Sequence, residues 1–120
     1  MSGGKDINEA LMDAAADCNV EEVKRCLEQG ADPNYFHPVG DNHMQPTTPL
    51  RLLMFRLSDS LLEDHHFPKL AEIAKLLLKY GADPKPALEI AEHRYGKYDP
   101  HAKGPFMDVW HIIANATEEQ

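Results

Sequence analysis

EEVKRCLEQGADPN at residues 21–34 is echoed, without a gap, by EIAKLLLKYGADPK at residues 72–85. Glu21 aligns with Glu72, Val23 with Ala74, Leu27 with Leu78 and Gly30 with Gly81, so the chain repeats itself 51 residues on. In the first copy Val20, Val23, Cys26 and Leu27 recur at helical spacing, and in the second Leu70, Ile73, Ala74, Leu77 and Leu78 do so. Each stretch is a helix that ends at a glycine, Gly30 or Gly81, which takes the positive φ of a helix C′ position without a Cβ penalty. Asp32 and Asp83 then bond local backbone, and Pro33 and Pro84 are expected to keep the helix from resuming soon after. GADP therefore reads as punctuation between helices and not as a site.

Two further apolar helical segments precede these: ALMDAAAD at 10–17 and TPLRLLMF at 48–55. Ala14, Ala15 and Ala16 reduce the bulk of the first, so that another helix can approach it closely. The unit LMDAAADCNVEEVKRCLEQGADPN resembles an ankyrin repeat, with Leu11, Ala14, Ala15, Glu21, Val23, Leu27, Gly30, Ala31, Asp32 and Asn34 in register. The second unit supplies Thr48, Pro49 and Leu50, then Glu72, Ile73, Leu77, Leu78, Gly81, Ala82 and Asp83. A degenerate third unit follows, with ALEIAE at 87–92 similar to the first helix of the pattern and MDVWHIIANA at 107–116 to the second. The resemblance covers nearly the whole chain and implies an all-α solenoid of stacked helix-turn-helix hairpins with extended finger loops. It implies one domain over residues 1–120, with units of about 7–34, 43–85 and 86–116. Trp110, Ile112 and Ile113 are expected to seal the end of the stack.

The spacing of 51 exceeds the family's repeat of about 33 by about 18 residues. Roughly six fall in the finger before Thr48, and roughly twelve between Met54 and Glu72. Leu50, Leu53, Met54, Leu57 and Leu61 keep helical spacing, which predicts a helix running on to about Asp64. A break is expected at HHFP (65–68), with Pro68 in the first turn of the next helix. The insert either covers more core or forms a ridge for a partner. Two departures from the family pattern stand out. Its histidine is replaced by Met12, Arg51 and Glu89, and Cys18 occupies the glycine position between the first two helices. Either Cys18 accepts a left-handed conformation or Asn19 does.

The finger YFHPVGDNHMQPT (35–47) carries Tyr35, Phe36, His37, His43 and Met44 among turn formers, and such side chains on a loop either pack back or bind. In ankyrin proteins partners lie against the finger tips and the exposed face of the first helices. Carried onto this chain, the resemblance implies contacts from His43, Met44, Gln45 and Thr47, from Ala16 and Asp17, from Phe55 and Arg56, and from His93 and Arg94. Tyr80 stands at the variable position before the glycine. Phe55, Arg56, Tyr80 and Arg94 form the expected hot-spot set, because aromatic and arginine anchors dominate interface energies.

The net charge of −8 opposes phosphate neutralisation, so nucleic-acid binding is disfavoured. It could steer a basic partner, which leaves an acidic, immunity-type inhibitor of a basic enzyme as an alternative. The longest apolar run is a few residues and the N-terminus lacks an apolar signal region, so no membrane span and a cytoplasmic location are expected. Cys18 and Cys26, about 12 Å apart along a helix, cannot reach the roughly 7 Å of a disulfide and read as small buried thiols. Seven histidines raise the further alternative of a metal-binding protein, but no pair has the i, i+4 spacing of a helical zinc site. No serine elbow, calcium loop or phosphate cradle is present. The expectation is a monomeric, non-catalytic protein-interaction module without cofactor or metal, whose partner is another protein.

Overall fold

The structure is a computed structural model that describes residues 6–35, 48–57 and 63–118. Among them run six helices: α1 (Ile7–Ala16), α2 (Val20–Glu28), α3 (Pro49–Arg56), α4 (His66–Lys79), α5 (Lys85–Tyr95) and α6 (Pro105–Glu118). Consecutive helices pack in pairs, α1 on α2, α3 on α4 and α5 on α6. Between pairs, α1 packs on α3 and α3 on α5, while α2 packs on α4 and α4 on α6. The pattern is two rows, α1–α3–α5 and α2–α4–α6. No helix among the described residues is long and apolar enough to cross a membrane.

Apart from α3, each helix buries one stripe at helical spacing. In α2 this is Val23, Cys26 and Leu27; in α4 it is Leu70, Ile73, Ala74 and Leu77. In α1, Leu11, Met12, Ala14 and Ala15 are buried, and in α5 Ala87 and Ala91. Helix α3 differs. Leu50, Leu52, Leu53 and Met54 are all buried, because α1, α4 and α5 surround it. An eight-residue helix is marginal by itself, and burial of side chains worth about 1.5–3 kcal/mol each holds it in place.

Both GADP segments end their helices in the same way. The Ala31 N–H donates to the Cys26 carbonyl (3.0 Å) and the Gly30 N–H to Leu27 (3.1 Å); the Ala82 N–H donates to Leu77 (2.9 Å) and the Gly81 N–H to Leu78 (3.1 Å). These are Schellman pairs, closed by Gly30 at φ +100° and Gly81 at φ +103°. Asp32 Oδ1 then accepts from the Asn34 N–H (2.8 Å) and Asp83 Oδ1 from the Lys85 N–H (3.1 Å). A third Asp-Pro pair, in the loop before α6, repeats the turn: Asp99 Oδ1 accepts from the His101 N–H at 2.9 Å.

At the α1–α2 corner Cys18 takes the left-handed conformation, with φ +57°. Its N–H donates to Ala15 (3.2 Å) and the Asn19 N–H to Ala14 (2.9 Å), the same Schellman geometry without a glycine. Asn19 instead caps α2, its Oδ1 accepting from the Glu22 N–H at 3.2 Å. Cys18 and Cys26 are both buried and free.

Two sequence expectations are corrected. The helix expected to reach Asp64 ends at Arg56: Leu57 is in a turn and Asp64 in another, while 58–62 lie outside the described residues. Leu57 still donates its N–H to Leu53 and is buried, so its apolar spacing reflects core packing at a helix end and not continuation. Pro84 does not hold off the next helix. α5 begins at Lys85, directly after Pro84 at φ −77°. A proline at a helix start loses no hydrogen bond, since the first N–H groups have no intrahelical acceptor. Pro68, in the first turn of α4, uses the same allowance.

Candidate protein-binding surface

The base of the finger is pinned from both sides. The Asp32 N–H donates to Asn8 Oδ1 of α1 at 2.7 Å. Asn34 reaches the next unit: its Nδ2 donates to the Gly81 carbonyl (3.0 Å) and its Oδ1 accepts from the Asp83 N–H (2.6 Å). Tyr35 is half-buried against the core, and its hydroxyl donates to Glu9 Oε1 at 2.7 Å. That bond, with burial and the charges of Glu9 and Asp6 adding to it, holds the Tyr35 phenol above its ordinary pKa. Of the finger residues proposed as contacts, Tyr35 is therefore folded back onto α1. Phe36, His43, Met44, Gln45 and Thr47 lie outside the described residues. Thr48 closes the finger by capping α3, its hydroxyl accepting from the Arg51 N–H at 3.3 Å, with Pro49 at the first helical position.

A cleft of about 480 Å³ opens between α3 and α5, lined by Arg51, Pro86, Glu89, Ile90 and His93. His93 was expected at a contact surface from the sequence. Arg51, Pro86, Glu89 and Ile90 were not, although residues 86, 89, 90 and 93 share one face of α5 by their spacing. Arg51 and Glu89 stand 38 residues apart in the sequence, and Arg56 and Arg94 repeat that offset. Arg94 is exposed and Arg56 half-buried. The side chain of Phe55, which precedes Arg56 on α3, lies outside what is described.

Asp17, exposed at the C-terminal cap of α1, is not brought to this cleft. It lines a separate one of about 360 Å³ with Cys18, Asn19, Val20, Glu21 and Lys69. Tyr80 caps α4 in the other row, lines neither cleft, and is 39% exposed. Of the twelve candidate contacts, His93 lines the α3–α5 cleft, Arg56 and Arg94 lie elsewhere on α3 and α5, Asp17 lines a separate cleft and Tyr80 stands on the second row.

Of the described histidines, His66 and His111 are hydrogen-bonded within the fold, and His65, His93 and His101 are exposed. His66 Nδ1 accepts from the Glu63 N–H at 2.8 Å at the start of α4, and exposed His65 lies 3.9 Å from Glu63. His111 Nε2 is 2.6 Å from the Ala102 carbonyl and its Nδ1 is 2.5 Å from the Tyr98 hydroxyl. A carbonyl only accepts, so Nε2 carries the proton and Tyr98 donates to Nδ1 in the neutral imidazole. This pins the α5–α6 loop to α6. Among the described residues no three His, Cys, Asp or Glu side chains gather to hold a metal.

Tyr98 also stacks with Trp110, which Tyr95 and Phe106 approach at centroid distances of 5.9 and 6.2 Å. The Tyr95 hydroxyl donates to the Met54 carbonyl of α3. The terminal hairpin is thus closed by a ring cluster of which sequence analysis anticipated only Trp110. Ile113 is buried beside it and Ile112 is half-buried.

Searches against family models, curated proteins and solved structures return no match to this chain.

Proposed function

We propose that this chain is an ankyrin-like, non-catalytic recognition module that binds another protein through its finger loop and the α1–α3–α5 row. The observation that supports this most is the fastening of one GADP segment to the next by Asn34. Equivalent hairpin ends are locked together by side chain–backbone hydrogen bonds. Rigid display of this kind lowers the entropy lost on binding. In this reading the two-row helix packing is a three-unit ankyrin-like stack, and the third hairpin with its aromatic cluster is the terminal cap. Contacts come from the cleft between α3 and α5, from Arg56 and Arg94 beside it, and from the finger residues 36–47. The chain acts as a monomer.

The test is affinity capture from the native cell with the intact chain, repeated with an Arg56→Ala/Arg94→Ala variant whose thermal unfolding is unchanged. A partner retained by the parent and lost from the variant supports the reading. A partner held equally by both places recognition elsewhere.

A further inference from the structure

Asp-Pro occurs three times in the chain, at 32–33, 83–84 and 99–100. Such a bond is among the most acid-labile in a polypeptide. The aspartate carboxyl reaches its own main-chain carbonyl carbon, and the tertiary amide nitrogen of proline departs readily once it receives a proton. The fold holds two of the three fast. The Asp32 N–H donates to Asn8 Oδ1, and Asn34, two residues on, is bonded to the next unit. The Asp83 N–H donates to Asn34 Oδ1, and Pro84 is buried at the start of α5. The third bond differs. Asp99, Pro100 and His101 are all exposed, and among the described residues the hydrogen bonds of Asp99 stay within its own turn. Its Oδ1 accepts from the His101 N–H at 2.9 Å, and its main-chain carbonyl accepts from the Ala102 N–H at 3.2 Å. His111 of α6 grips this turn from both sides, through the Tyr98 hydroxyl before it and the Ala102 carbonyl after it.

We propose that the Asp99–Pro100 bond is a self-cleavage site that opens in mild acid and severs α6 from the rest of the chain. A carboxylate oxygen of Asp99 attacks the Asp99 main-chain carbonyl carbon. The Ala102 N–H already bonded to that carbonyl stabilises the negative charge that develops on its oxygen. A cyclic anhydride forms as the C–N bond to Pro100 breaks, and the bonding pair leaves on the proline nitrogen. His101, next in the chain and exposed, gives that nitrogen its proton; histidine is the side chain that takes up a proton between about pH 8 and 5. Water then opens the anhydride. The products are a chain ending in Asp99 with two carboxylates and a second chain beginning at the secondary amine of Pro100, and the released protons restore His101. The charged and titratable groups around the turn are Lys97 and Tyr98 before it and Lys103 after it. From the helices come Glu92 of α5, whose carboxylate accepts the Tyr98 N–H at 3.4 Å, and His111 and Glu118 of α6, which act on the Tyr98 phenol. Helix α6 keeps Val109, Trp110 and Ile113 buried, so after the cut it remains as a non-covalently held piece.

The experiment incubates the intact 120-residue protein at the lowest pH that leaves its far-ultraviolet circular dichroism unchanged, and in parallel at about pH 7.5. Fragments are identified by mass spectrometry under denaturing conditions. The other two Asp–Pro bonds are controls within the same molecule. In the folded chain, fragments 1–99 and 100–120 accumulate in acid at least about tenfold faster than any cut at 32–33 or 83–84, and are absent at the higher pH. In denaturant at the same acid pH the three bonds open at similar rates, because the turn and its fastened counterparts are gone. Asp99→Glu, which enlarges the ring to be closed, and Pro100→Ala, which replaces the tertiary amide, abolish the native cut. Both changes lie in an exposed turn, and circular dichroism checks that the helices persist. His101→Gln slows the cut about tenfold. No cleavage of the folded chain, equal cleavage at all three bonds before unfolding, or undiminished cleavage in Asp99→Glu or Pro100→Ala overturns the proposal. An unchanged rate in His101→Gln removes His101 as the proton donor.

Discussion

Asn34 holds Asp83: the aspartate's N–H donates to Asn34 Oδ1 at 2.6 Å, and Asn34 Nδ2 donates to the Gly81 carbonyl two residues earlier at 3.0 Å. The residue after the first GADP thus fastens the second. Asn34 is exposed, so water competes for both bonds, and each is worth about 0.5–1.5 kcal/mol. Asn34→Ala is expected to lower unfolding stability by about 1–2 kcal/mol, read as a shift of the urea midpoint at constant slope. Asn34→Asp keeps the acceptor and loses the donor, and is expected to fall between the two. No shift in either variant would remove the fastening role.

Cys18 stands at φ +57° where a glycine would carry no penalty. The usual ranking of alanine over glycine should therefore reverse here. Cys18→Ala and Cys18→Gly both lose the buried sulfur, but only the glycine variant is relieved of the left-handed cost of roughly 1–2 kcal/mol. Cys18→Gly is expected to be the more stable by about 1 kcal/mol. The mirror experiment at Gly30 and Gly81 has the opposite sign. A Cβ there meets no atom within 4 Å, so Gly→Ala is strained by backbone conformation alone. Each is expected to cost about 1 kcal/mol, with nearly additive effects because the sites lie in different units.

Trp110 is the chain's one tryptophan and is 3% exposed in the terminal ring cluster. Its Nε1 has no hydrogen-bond acceptor among the described residues. Trp110→Phe is therefore expected to cost only lost volume, about 1–2 kcal/mol, while Trp110→Ala costs about 3–5 kcal/mol. In the parent, tryptophan emission reports the third hairpin and far-ultraviolet circular dichroism all helices. Coincident transitions are expected if the hairpins unfold as one unit; an earlier fluorescence transition would make the third hairpin an independent part.

Burial, with the charges of Glu118 and Asp99 adding to it, holds the Tyr98 phenol above its ordinary value of 10.0. A phenol whose pKa is raised by folding binds its proton more tightly in the folded state. Its contribution is fully present below the unfolded pKa near 10 and is lost as pH rises through the folded value. Stability is expected to fall above pH ~10, and Tyr98→Phe to reduce that slope in denaturant titrations at a series of pH values. A slope unchanged in Tyr98→Phe would assign the alkaline loss to other groups.

The helices of the two GADP units were legible because their signals are local. Glycine, aspartate and proline at fixed offsets dictate the Schellman ends and Asx turns whatever lies around them. Leu57 misled because apolar spacing reports burial, and a residue at a helix end can be as buried as one inside it. Pro84 misled because a proline that cannot continue one helix can still start another. Tyr95, Tyr98, Phe106 and His111 carry no periodic signature, and their cluster exists only because α5, α6 and the intervening loop are brought together. The α3–α5 cleft was half legible: His93 could be carried over from the family resemblance, but Arg51 and Glu89 become neighbours only through the packing of α3 on α5.

Amide hydrogen exchange of the intact chain, with and without the captured partner, tests recognition by the first row most directly. Slowed exchange is expected in residues 48–56 and 85–95, with the finger 36–47 joining them, and little change across α2 and α6. Protection confined to α2, α4 and α6, with α3 and α5 unaltered, would contradict it.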